Sequence, residues 1–169
     1  MKEVVLLDES GKIVGRSEKM KAHAEGLYHL AYSVMIVNFE GDILLQKRAK
    51  RKYHSGGKWS NACCSHPDSD ALERIVEQAQ SRLREEMGFS CPLRRLTEFS
   101  YRAEVEDLIE NERDTVLIGT YDGVVSPNPE EADGYQWISK NELYARLKQS
   151  PEEFSPWFRI MAEMIEREL

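Results

Sequence analysis

The chain has 169 residues, with 23 Lys and Arg against 30 Asp and Glu and a formal net charge of −7. That length suits one domain, residues 1–169, because domains cluster at about 100–150 residues; 41% hydrophobic and 31% charged residues exclude a disordered or fibrous chain. The acidic balance excludes a general nucleic-acid binder, whose affinity rests on surplus Lys and Arg, and three cysteines cannot close a disulfide framework. A reduced, cytoplasmic protein is expected. The first residues lack the pattern of a secretory leader, and no apolar run approaches the roughly 20 residues that span a bilayer, so no membrane partner is expected.

Along the chain, Glu3 to Asp8 reads as a strand, with Lys12 to Gly15 as its partner across Glu9-Ser-Gly11. Tyr32 to Asn38 and Ile43 to Arg48 are β-type runs, predicted to pair as a hairpin through Phe39-Glu-Gly-Asp42. Ala49 to Asp70 has no periodicity and reads as a long irregular segment, a length that in a compact domain is usually functional or disordered. Asp70 with Glu73 predicts a capping box, after which Leu72, Ile75, Val76, Ala79, Leu83 and Met87 recur at helical spacing until Gly88. Strands are predicted at Leu96 to Glu104, Thr115 to Tyr121 and Gly134 to Ile138. A short helix follows from Ser139 with Glu142 through Leu147, and a last one runs from Trp157 to about Arg167. The fold class is α+β.

The candidate chemistry is scattered. His23, His29, His54 and His66 are each more often hydrogen-bonded residues than ligands. Adjacent Glu85 and Glu86 point about 100° apart on a helix, so one can face inward while the other stays solvated. Glu110 and Glu112 fall on one face of an extended chain, where two carboxylates repel unless a proton or cation lies between them. That pattern suits a metal site or an exposed acidic turn. Cys63-Cys64 is a vicinal pair with poor geometry for a disulfide. Lys47, Arg48, Lys50, Arg51 and Lys52 form a basic run, either solvated or an anion pocket.

Taken in order, His23, His29, Trp59-Ser-Asn-Ala-Cys-Cys-Ser-His-Pro67, Arg-Glu-Glu-Met-Gly88, Phe99-Ser-Tyr-Arg-Ala103, Glu110-Asn-Glu112 and Phe154-Ser-Pro-Trp157 resemble the type I isopentenyl-diphosphate isomerases. The resemblance covers essentially the whole chain and implies a Nudix-type α/β/α sandwich with a mixed sheet. It implies protonation of isopentenyl diphosphate at C4 and loss of a proton from C2, giving dimethylallyl diphosphate. By resemblance, Glu112 with Tyr101 serves C4, Cys64 serves C2, and Trp157 offers its π face to the tertiary cation. The implied metal ligands are His23, His29, His66, Glu110 and Glu112, for Mn²⁺, Mg²⁺ or Zn²⁺. Glu86 would help hold a Mg²⁺ shared with the diphosphate. Lys19, Arg48, Lys52 and Arg82 stand where the family binds that diphosphate, and Arg113 is expected to point away. The expected partner is a small diphosphate, with the chain a monomer or weak homodimer.

Two rival readings remain. A Nudix hydrolase would carry a set of helix carboxylates, but Pro67 and Ser81-Arg82 break that signature. A structural zinc module would show short-spaced Cys or His pairs, and no Cys-x2-4-Cys is present.

Overall fold

The computed structural model describes residues 2–169. Strand β1 (Glu3–Leu7) pairs antiparallel with β2 (Ile13–Glu18). Helix α1 (Lys19–Glu25) follows at once: the Glu18 carboxylate accepts from the N–H groups of Met20 and Lys21, and Gly26 ends the helix at φ 65°. A left-handed cap of this kind favours glycine, and a Cβ here would also press on Ile109, 3.1 Å away. This helix was not foreseen. Seven residues with only Ala22 and His23 buried show no apolar period.

Strand β3 (His29–Val37) begins earlier than predicted and is the centre of a nine-stranded sheet. On one side it runs parallel to β8 (Leu108–Thr120), from His29 opposite Glu112 to Val37 opposite Thr120. Its other side meets β1 at His29 and β6 (Cys63–Ser65) in the middle. Contact with β4 (Ile43–Arg48) is confined to the rung Val37–Ile43. The predicted turn therefore forms, held by the Asn38 side chain accepting from Glu40 and Asp42 N–H groups, but the predicted hairpin does not continue. Instead β4 pairs with β9 (Ala132–Ile138) and with β5 (Trp59–Ser60). The supposedly irregular segment thus contains two short strands. Strand β7 (Arg94–Val105) forms a long hairpin with β8, which starts seven residues before the predicted Thr115 and so carries Glu110 and Glu112 on a strand.

The sheet is covered on both faces, which is why β3 is apolar nearly throughout. Tyr32, Val34, Ile36, Leu44 and Leu117 meet α2 (Leu72–Met87) through Ile75, Ala79, Leu83 and Met87. Met35, Ile43, Leu45, Val116 and Ile118 face the opposite way, toward α3 (Lys140–Gln149) and α4 (Pro156–Ile165), which insert Leu143, Phe158, Met161 and Ile165. The Asp70 capping box does not form: Ala71 occupies the cap without a side-chain bond, and Asp68 instead grips Arg74. At the other end Gly88 is required, since its φ is 78° and a Cβ would lie 2.5 Å from the Ser126 carbonyl. Ser139 does cap α3, accepting from the Glu142 N–H at 3.2 Å.

Candidate active site

Strand register assembles the site. Side chains on paired residues of neighbouring strands share a face, and the rungs Tyr101–Glu112, Glu112–His29 and Ser33–Cys64 place all five on the side of α4. Glu110 shares that face, two residues before Glu112. The same alternation sends Cys63 into the layer beneath α2 and leaves Cys64 on the pocket wall. Trp157, at the start of α4, and Lys19, Arg48, Lys52, Arg82 and Glu86 line the same pocket.

At its buried end, His23, His29, His66 and Glu112 offer donor atoms that all lie within 4.8 Å of one another. Glu112 Oε1 is 3.2 Å from His29 Nε2 and 3.0 Å from His66 Nε2, while Glu110 Oε2 is 3.2 Å from His23 Nε2. The Nδ1–H groups of His23 and His29 donate to the carbonyls of Lys19 and Leu27, both at 2.7 Å. Those bonds leave the Nε2 lone pairs facing carboxylate oxygens, an arrangement that is repulsive until a cation or protons occupy it. The donor set therefore fits a divalent metal ion. Burial pushes His66 down to about 4, so it is neutral, as a ligand must be. Burial resists ionisation of Glu112, but the contacts with the His29 and His66 imidazoles, including the 3.0 Å hydrogen bond from His66 and any positive charge that His29 carries, outweigh it and hold the carboxyl well below its usual range.

Tyr101 Oη donates to Glu112 Oε2 at 2.7 Å, and burial followed by the Glu112 charge holds the phenol well above its ordinary value. The Cys64 thiol donates to Asn61 Oδ1 at 3.1 Å and lies 3.5 Å from Ser33 Oγ. Burial, then the charge of Asp114, pushes that thiol up to about 12. Trp157 is 5% exposed, and the Arg48 guanidinium stands 4.9 Å from its ring centroid.

Several participants were missed or left unassigned. His54 Nε2 lies 2.8 Å from Glu110 Oε1, though its place in an unpatterned segment gave no sign of this. Asp114 is buried and accepts from Ser33 Oγ at 2.6 Å; burial, then the Glu112 charge, raises it to about 8. The i, i+2 spacing from Glu112 was the available signal. Glu131 pairs with both Lys52 and Arg82. Glu86 stands apart from the histidines, bound by Arg82 at 2.7 Å and Gln46 at 2.7 Å. Arg113 turns away and donates to the Gly11 carbonyl at 2.8 Å.

The NUDIX domain family model matches residues 27–158. DR0079 from Deinococcus radiodurans shares the fold at TM-score 0.76 and 18% identity, over 98% of each chain. The MutT protein from Methanosarcina mazei does so at TM-score 0.62 and 21% identity, over 83% of this chain and 94% of its own. An isopentenyl-diphosphate Delta-isomerase from Burkholderia multivorans is 42% identical over 95% of this chain and 90% of its own length. One from Pectobacterium atrosepticum is 43% identical over 94% and 88%. With that identity carried across nearly the full length, on a NUDIX fold, the chain belongs to the isopentenyl-diphosphate Delta-isomerase family.

Proposed function

We propose that this protein converts isopentenyl diphosphate to dimethylallyl diphosphate in isoprenoid biosynthesis, in the cytoplasm. The observation that carries the reading is the placement of two proton-transfer groups, Glu112 with Tyr101 and Cys64, in one pocket whose mouth is cationic.

An unactivated alkene is a very weak base, so C4 needs a strong acid. A carboxyl that holds its proton weakly is a strong acid when it has one, and a thiol that holds its proton tightly is a strong base once it has lost it. Glu112 and Cys64 have these characters, so Glu112, with Tyr101, serves C4 and Cys64 takes the proton from C2. The reactive state has Glu112 protonated and the Cys64 thiol ionised. A divalent ion, Mg²⁺, Mn²⁺ or Zn²⁺, held by His23, His29, His66, Glu110 and Glu112 would make a proton on Glu112 more acidic. The Trp157 ring faces the tertiary cation, worth ~2 kcal/mol when desolvated. Lys19, Arg48, Lys52 and Arg82 hold the diphosphate, and Glu86 would help hold a Mg²⁺ shared with it.

The hydrolase reading loses support from the same geometry. Glu73 and Glu85 are exposed, and among the helix carboxylates Glu86 alone lines the pocket. Product analysis after incubation with isopentenyl diphosphate and Mg²⁺ separates the two. Dimethylallyl diphosphate is the expected product, and released phosphate or unchanged substrate would refute the proposal.

A further inference from the structure

The pocket mouth contains a fifth cation that no motif singled out. The backbone carbonyl of Lys2 accepts from the Lys19 N–H at 2.8 Å, tying the start of the chain to α1. The Lys2 ammonium reaches the pocket wall and donates to Ser65 Oγ at 2.9 Å. Ser65 lies on β6 between Cys64 and His66, so the ammonium is anchored to the strand that carries the thiol.

The charges around it are unevenly matched. Lys52 and Arg82 share Glu131, and Arg82 also pairs with Glu85 and Glu86. Among the described residues, Lys2, Lys19 and Arg48 have no such pairing: they contact Ser65, the Tyr53 ring, and His54 with Trp157 respectively. The three also crowd. Burial lowers Lys2, with the Arg82 charge as the next cause. The carboxylates that counter this at Lys2 are Glu86, Glu85 and Glu131, each already engaged by Arg82. Unpaired cations lining one pocket attract an anion. A terminal phosphoryl group carries about two negative charges at neutral pH and the inner group of a diphosphate ester about one more, so a diphosphate offers the three unpaired cations more charge than a monophosphate does.

We propose that Lys2 is a diphosphate ligand of this protein, its Ser65-anchored ammonium adding to the Lys19 and Arg48 charges and favouring diphosphates over monophosphates. This inference rests on the diphosphate reading above.

Calorimetric titration of the full, Mg²⁺-loaded chain with inorganic pyrophosphate, and separately with inorganic phosphate, tests it. Lys2→Met should weaken pyrophosphate about tenfold, the loss of one charge-assisted contact, and phosphate by less than about twofold. Lys2→Arg should restore pyrophosphate binding to within about threefold of wild type. The melting temperature of unliganded Lys2→Met should not fall, because removing a crowded charge offsets the lost Ser65 bond. Wild-type pyrophosphate binding that Lys2→Met leaves intact, or equal losses for the two anions, would overturn the role of Lys2 alone. A wild-type protein that binds no pyrophosphate would overturn the diphosphate reading with it.

Discussion

The two ends of the pocket are built on different principles. At the buried end, short side chains are fixed by strand rungs and backbone carbonyls: His29 opposite Glu112, Tyr101 opposite Glu112, Cys64 opposite Ser33, and Nδ1–H bonds on His23 and His29. At the mouth, long Lys and Arg side chains come from residue 2, α1, β4, the following loop and α2, and two of them, Lys52 and Arg82, share Glu131. Proton transfer tolerates little misplacement and so sits on rigid elements. Charge neutralisation needs only proximity, and flexible side chains suffice.

If that division is right, substitutions at the buried end should affect kcat and those at the mouth should affect KM. Glu112→Gln should have the largest effect, lowering kcat about a thousandfold or more as a proton donor is lost, with metal content by elemental analysis falling as well. Cys64→Ala should lower kcat about as far with metal content unchanged, since the thiol is outside the donor group. A Cys64 variant that lost metal would break the comparison. Trp157→Leu should lower kcat about thirtyfold, from ~2 kcal/mol of cation–π stabilisation, with KM nearly constant. Equal changes in kcat and KM would mark packing instead. At the mouth, Glu131→Gln frees Lys52 and Arg82 and should lower KM by about twofold to threefold with kcat unchanged. Cys63→Ala, in the layer beneath α2, should change turnover least.

Sequence read the fold wherever the pattern was periodic. Ile75 to Met87 announced α2, and Trp157 to Ile165 announced α4, because each buries one face against the sheet. It misread pairing. The turn at Phe39 to Asp42 is local and formed as expected, but whether β4 stays beside β3 depends on β6 and β9, which lie far along the chain. The site was legible where residues came in ordered motifs, as with His66, Glu110 and Glu112. His54 and Glu131 had no periodicity or motif to reveal them, since only the long loop's path places His54 on Glu110 and Glu131 on Lys52. Asp114 was visible only as the next same-face position after Glu112, and its partner Ser33 lies far off along the chain.

The most direct test of the proton assignment is deuterium incorporation into isopentenyl diphosphate by the two variants in D₂O, each with Mg²⁺ added in excess to refill its metal site, followed by NMR. With Glu112 and Tyr101 intact, Cys64→Ala should place deuterium at C4 of recovered substrate without forming product, while Glu112→Gln should place none. Exchange by Glu112→Gln and not by Cys64→Ala, or full turnover by either, would contradict the assignment.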